Sequence, residues 1–495
     1  MGILSDLEPA PVFKYFEKIC SIPHGSGNTE NISNFCVSFA KEHGLKYHKD
    51  SYNNVIIWKD GTKGYEDSPS VIIQGHLDMV CEKKTGHKID FEKDGLDLQL
   101  KDGIISAKNT TLGGDDGIAI AYALAILESD TIPHPPLEAV FTTDEETGMS
   151  GAAALDCSQL KSRTMLNIDS EEEGFLLVSC AGGATAVVEI PVKIKGISGI
   201  AVSINITGLK GGHSGVEIDK GRANANTLMG RILYSLSQKF KFNIYSIFGG
   251  LKDNAIPREA YTQLMFKKGT SMEEVKRHLE ELNQIYCNEY HSTDAGIKIS
   301  FNVDKMSDSR SSLNDKSTAK VITALVNLPN GIQGMSHDIE GLVQTSLNLG
   351  RMDIKVITES PYPHECSRFM QFNYSLRSSL STEKDEMADR IKCLAEALGG
   401  TVTLQGNYPA WEYKKASPLR DLMTKVFEEQ YGRKPVIQAI HAGLECGLFA
   451  GKLPGLDCVS YGPDIKNIHT PQEALYVESV KRTWEYTLEI LKRLK

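Results

Sequence analysis

The chain has 495 residues, 41% hydrophobic and 24% charged, enough for two globular domains and too apolar for extensive disorder. Lys and Arg total 54 against 64 Asp and Glu, a formal charge of -10 that argues against a broad basic field for a phosphate backbone or an anionic membrane. The most apolar run, residues 117–127, falls far short of the roughly 20 residues that cross a bilayer and reads as a buried helix. The opening MGILSDLEPAPVFKYFEKIC lacks a basic stretch followed by an apolar one, and Asp6 spoils a myristoylation pattern at Gly2, so a cytoplasmic location is expected. Ten dispersed cysteines without a CxxC pair are expected to be buried free thiols.

In chain order, residues 8–20 and 30–43 carry apolar positions at helical spacing, separated by the turn-forming SIPHGSGNTE. SYNNVIIWKD and SVIIQGHLDMV then read as strands, the second stopping at Gly75 with a polar cluster immediately beyond. TTLGGDDGIAIAYALAILES joins a glycine-rich turn bearing two aspartates to an apolar helix. LEAVFTTDEETG and RTMLNIDSEEEG are two further strand-like runs that empty into carboxylates. Open α/β sheets place ligands outside the carboxyl ends of their strands, so these runs predict one cleft along the edge of a mixed sheet.

From 187 the texture becomes that of an α+β layer with antiparallel edges: TAVVEIPVKIKGI, AVSINITGLKGG, the helical ANANTLMGRILYSLSQKF and further strands. PVIQAIHAGLECGLFAGK, LDCVSYGP and a final helix restore the α/β style. The expected organisation is a catalytic α/β domain over 1–186 and 399–495, with an inserted α+β lid domain over 187–398.

His76, Asp78, Asp115, Glu145, Glu146, Asp169 and His469 each stand at a strand end or in a loop flanked by small residues. Imidazole mixed with carboxylate fits Zn²⁺, with Mn²⁺ or Co²⁺ as other occupants, whereas an all-oxygen set would suit Mg²⁺ or Ca²⁺. Singly, each has a plainer reading as a loop or solvated surface residue. Together they supply enough donors for two metals sharing a carboxylate. Asp116 stands beside Asp115, and residue chemistry alone does not separate them.

GHLDMV, LGGDDG, TTDEETG, NIDSEE, GGHSG and SLRSS, in this order over nearly the whole chain, resemble the M20 family of metallopeptidases, most closely its aminoacyl-histidine dipeptidases. The resemblance implies a mixed-sheet di-zinc domain with an inserted lid. It makes His76 and Asp169 ligands of one zinc, Glu146 and His469 ligands of the other, and Asp115 the bridging carboxylate. It makes Asp78 the carboxylate that holds the His76 imidazole, a contact that would fix the tautomer facing the metal. Glu145 resembles the general base, taking a proton from water and passing it to the leaving amine.

His213 in GGHSG reads by default as a turn residue; the resemblance makes it a donor to the developing oxyanion, supported by Asn224 in GRANA. Arg377 would by default be a paired surface residue, and the resemblance favours a bidentate grip on a peptide carboxylate. HAGLECG, residues 441–447, matches a substrate loop in which His441 and Glu445 are candidate contacts, Glu445 to the peptide amine.

The activity implied is hydrolysis of unblocked dipeptides, preferentially Xaa-His and including β-alanyl-histidine, with short peptides as partners and a homodimer through the inserted domain. A broad tripeptidase or aminopeptidase, an N-acyl amino acid deacylase and a non-catalytic metal-binding scaffold are the alternatives. GSGN at 25–28 has Glu30 where a dinucleotide fingerprint needs its third glycine, and neither a phosphate loop, HExxH nor GxSxG occurs.

Overall fold

A computed structural model describes residues 2–304, 309–357 and 367–495. The chain forms two compact units, one comprising Met1–Cys180, Trp411–Ala439 and Leu444–Lys495, the other Ala181–Ala410 and Ile440–Gly443. The second unit therefore reaches beyond 187–398 at both ends. Its sheet takes in the neighbouring strands Gly182–Val192 and Thr401–Tyr408.

The first unit is built on an eight-stranded mixed sheet in the order Lys46–Lys49, Val55–Lys59, Leu137–Thr142, Val71–His76, Thr164–Asn167, Asp457–Ser460, Phe175–Cys180, Val436–Ile440. Val71–His76 runs parallel to both neighbours, and every residue of Val71–His76 and Leu137–Thr142 is buried. Burial on both faces is why these strands read as continuous apolar runs rather than alternating ones. The helix Gly114–Glu128 is buried nearly all round, as 117–127 predicts, and packs on Ala10–Cys20, with Phe16 and Ile19 against Gly117. A small antiparallel sheet joins Leu98–Lys101, Ile104–Ala107, Ala474–Tyr476 and Ile465–Lys466.

Gly75 lets this helix approach the central strand. A Cβ there would lie 2.5 Å from Asp116 Oδ2 and 2.7 Å from Ala119 Cβ. Gly75→Ala is expected to destabilise the protein by about 1–3 kcal/mol through overpacking. Thermal unfolding checks this, with an unchanged midpoint showing that the contact is slack.

The second unit carries a nine-stranded sheet whose strand pairs among the described residues are all antiparallel, including Ile200–Thr207, Ala260–Phe266, Phe242–Gly249, Val343–Ile357, Ser367–Ser378 and Gly182–Val192. Along Gly182–Val192 the core residues Ala186, Val188, Ile190 and Val192 alternate with more exposed ones, the mark of a sheet covered on one face. Leu228 and Ile232, Val275 and Leu279, Val321 and Leu325, and Met387 and Ile391 cover it from four helices.

The expectation of uniformly buried thiols is corrected: Cys81 and Cys393 are exposed and Cys287 is half-buried, while Cys366 lies outside the described residues. No helix among the described residues is long and apolar enough to cross a membrane.

Candidate metal centre

The register of the first unit's sheet sets His76 beside Thr142 and Gln74 beside Asn167. Asp78, Glu145, Glu146 and Asp169 follow these strand ends and gather at one edge, where parallel strands leave a crevice. The opposite side comes from the turn that opens Gly114–Glu128 and from the loop between Ile465–Lys466 and Ala474–Tyr476, which carries His469.

His76 is 1% exposed, and its ring orientation is set locally. Nδ1 donates to the Asp78 backbone carbonyl at 2.9 Å, which turns Nε2 toward Asp115 Oδ1 at 3.1 Å and Asp169 Oδ1 at 3.6 Å. The orienting contact expected from the Asp78 carboxylate thus comes chiefly from its carbonyl; Asp78 Oδ1 lies 3.6 Å from the same nitrogen. The carboxylate instead accepts the backbone N–H groups of Glu145 at 3.1 Å and Glu146 at 3.4 Å and the Ser26 hydroxyl at 2.8 Å. Asp78 therefore fixes the loop that bears both glutamates.

The two consecutive aspartates separate in space. Their backbone angles are non-helical, φ -80° and ψ 104° at Asp115, φ -119° and ψ 27° at Asp116. Asp116 turns inward and accepts the His76 backbone N–H at 3.1 Å. Asp115 presents one oxygen to each imidazole, Oδ1 to His76 Nε2 at 3.1 Å and Oδ2 to His469 Nε2 at 3.2 Å. His469 Nε2 also lies 2.9 Å from Glu146 Oε1.

Three donor groups, each with its ligand atoms within 4.8 Å of one another, overlap here: His76 with Asp116 and Asp169, His76 with Glu145 and Glu146, and Asp115 with Glu146 and His469. The electrostatics fit cations. Burial, with Asp115 and Glu146 adding to it, pushes the Asp169 carboxyl up to about 6. Burial, then Asp115 and Asp169, push Glu171 up to about 8. Asp115 and Glu146 hold His469 up at about 10. The pocket has more carboxylate than its two imidazoles neutralise, and mixed imidazole and carboxylate donors suit two divalent ions of the zinc type.

Sequence reasoning missed Ser26, Gln74, Thr142 and Glu473. Glu445 is fully buried, its Oε2 accepting from Gln74 Nε2 and Thr142 Oγ1 at 2.6 Å each, and burial pushes its carboxyl up to about 7. This places it in the polar interior beside the strands that carry Gln74 and Thr142.

The remaining candidates belong to the second unit. His213 lies on the short strand Gly212–His213, paired with Ala255–Ile256. Its Nδ1 accepts the N–H groups of Gly215 at 3.1 Å and Val216 at 3.2 Å, so the neutral ring carries its proton on Nε2. Burial and then Arg377 lower its pKa and favour that neutral form. Asn224 caps the helix Ala225–Ser237: its Oδ1 accepts from Asn226 and Thr227, and its Nδ2 donates to Asn348 Oδ1 and the Leu349 carbonyl, both at 3.1 Å. Both ends of the amide are engaged in holding structure. Arg377 donates through Nη1 to the Tyr408 hydroxyl at 3.3 Å. His441 pairs through Nε2 with Ser346 Oγ at 2.7 Å, and burial, then Arg377, push its pKa down to about 3. Arg377 Nε and His441 Nδ1 are buried without a partner among the described residues.

An α/β sheet that gathers two imidazoles and a set of carboxylates around one shared aspartate defines a dinuclear metallohydrolase. The profile of peptidase family M20/M25/M40 matches residues 72–493, and the chain belongs to this family. It is 34% identical over 496 residues to the cytosol non-specific dipeptidase of Escherichia coli K12, covering 100% of this chain and 99% of that protein. The crystal structure of aminoacylhistidine dipeptidase from Vibrio alginolyticus superposes with a TM-score of 0.89 at 34% identity, covering 99% and 98% of the two chains. The aminopeptidase PepT of Bacillus cereus shares the fold, with a TM-score of 0.58 at 16% identity over 99% of each chain.

Proposed function

We propose that this chain is a metal-dependent dipeptidase that hydrolyses unblocked dipeptides, preferring Xaa-His and including β-alanyl-histidine. The observation that carries this is Asp115, with one oxygen toward each imidazole, beside a loop that offers two consecutive glutamates. His76 and Asp169 would hold one divalent ion, Glu146 and His469 the other, and Asp115 both. Ions bound in this way supply Lewis acidity and lower the pKa of water.

The chain's own groups do the proton work. Glu145, anchored through its backbone N–H by Asp78, accepts the proton of the attacking water and returns it to the leaving amine nitrogen. The Nε2–H of His213 is suited to stabilise charge developing on the carbonyl oxygen. Arg377 is suited to a bidentate grip on the free carboxylate, Tyr408 steadying one arm of the fork. In this reading Asn224 supports His213, and His441 and Glu445 contact the substrate, Glu445 at the peptide amine. A cytoplasmic location agrees with the E. coli relative's description as a cytosol enzyme. A homodimer through the inserted unit is part of the same proposal.

The test is hydrolysis of a panel by metal-stripped and zinc- or manganese-restored protein: free Xaa-His, its N-acetyl form, a non-His dipeptide and a tripeptide. Metal-dependent cleavage of the free dipeptides, fastest for Xaa-His, is the expected result. Turnover of the acetylated compound alone would make the protein a deacylase, and a preference for the tripeptide would make it a tripeptidase. Arg377→Ala is expected to lower kcat/KM for free dipeptides about 10- to 100-fold, mainly through KM, the loss of charge-assisted hydrogen bonds. A dipeptide amide, which lacks the carboxylate, should be little affected, and an equal loss on both substrates would remove this role from Arg377.

A further inference from the structure

Glu473 is 3% exposed and stands four residues after His469 on the loop preceding Ala474–Tyr476. Its carboxylate accepts three consecutive backbone N–H groups: Leu112 to Oε2 at 2.7 Å, Gly113 to Oε2 at 3.2 Å and Gly114 to Oε1 at 2.8 Å. These amides immediately precede Asp115. Gly113 adopts φ 67°, and a Cβ there would lie 2.9 Å from Met79 Sδ, so the turn is both left-handed and tightly packed. On the other side, Glu473 N–H donates to the Thr470 carbonyl at 3.1 Å, while Thr470 Oγ1 donates to the Asn467 carbonyl at 2.7 Å. The segment from His469 to Glu473 is thus held by its own turn bonds.

We infer that Glu473 is a positioning residue that clasps the Asp115 turn to the His469 loop and so sets the distance between two ligands of one metal site. Asp115 and His469 are far apart in sequence, and Glu473 provides a direct polar tie between the segments that carry them. A carboxylate suits the task because its two oxygens span three converging donors, and charge-assisted bonds to backbone N–H groups are stronger than neutral ones. The Asp115, Glu146 and His469 group depends on this tie. The His76 and Asp169 pair depends on it less, because His76 ends one strand of the large sheet and Asp169 follows its neighbour.

This rests on the reading of the cluster as a dinuclear centre, and the experiment separates the two. Zinc affinity and stoichiometry are measured by chelator competition and elemental analysis on the wild type and on Glu473→Gln, which keeps size but replaces one acceptor oxygen with a donor. The expected result is a selective loss of affinity at one of two sites, of the 10- to 100-fold order seen for partners behind metal ligands. It should be accompanied by a fall in kcat that excess zinc restores. A folded Glu473→Gln protein binding both ions with wild-type affinity overturns the inference, as does equal weakening at both sites. Amide hydrogen exchange of the metal-stripped wild type tests the clasp without any substitution: protection is expected at Leu112, Gly113 and Gly114, and exchange at free-loop rates overturns it. A wild type that binds fewer than two ions would instead refute the dinuclear reading while the exchange result still decides the clasp.

Discussion

Asp115→Ala is expected to cost the protein both tightly held divalent ions, and with them all metal-dependent peptide hydrolysis. Asp115 offers an oxygen to each imidazole, at 3.1 Å and 3.2 Å, so its removal takes one donor from each site at once. Its carboxylate is strongly committed to the charged form: burial opposes ionisation, but His469 and His76 outweigh it and hold Asp115 well below the usual carboxylate range. A ligand that serves one ion should behave differently. His469→Ala removes a donor shared with Asp115 and Glu146 only, and one ion should remain. Elemental analysis after exhaustive dialysis distinguishes the two variants. Two ions retained by Asp115→Ala would show that Asp115 is not the carboxylate the two sites share.

The first unit was legible because its chemistry follows its strands. An apolar run that stops at a polar cluster marks a strand end in a buried parallel sheet, and the runs ending near His76, Glu145 and Asp169 do meet at one edge. The boundaries of the second unit were less legible. Gly182, Gly183 and Ala184 are strand residues without the β-branched or aromatic side chains that signal a strand, so the sheet begins before the sequence announces it. Residues 440–443 belong with the second unit although Ile440 is the last residue of a strand in the first unit's sheet, a tertiary fact that no local pattern carries.

Side-chain commitments were harder still. Asn224 has a helix-capping signal as strong as its substrate-binding one, and in the fold its amide is occupied by the cap and by Asn348 and Leu349. Glu445 stands in a glycine-rich segment that reads as a substrate loop, and in the fold it opens a short helix with its carboxylate bonded to Gln74 and Thr142. Glu473 gave no signal, since an isolated glutamate after a proline-containing turn is ordinarily a solvated residue, and its three backbone partners are more than 350 positions away.

Glu145→Gln separates proton transfer from metal binding. Glu145 and Glu146 are adjacent, and Asp78 accepts the backbone N–H of each, so the loop keeps its anchor when the Glu145 side chain changes. Glu146 is directed to His469 at 2.9 Å, whereas Glu145 groups with His76 and Glu146. The amide of glutamine preserves shape but cannot accept a proton at neutral pH. The expected result is a fall in kcat of about 10²–10⁴-fold, the range for loss of a positioned general base, with two ions still bound and KM little changed. Glu146→Gln should instead lose or weaken one ion. Because Glu145 lies within ligand distance of His76 as well, metal content is the deciding readout. If Glu145→Gln releases an ion while the slow residual rate recovers in excess zinc, Glu145 is a ligand and the proton acceptor must be sought elsewhere in the cluster.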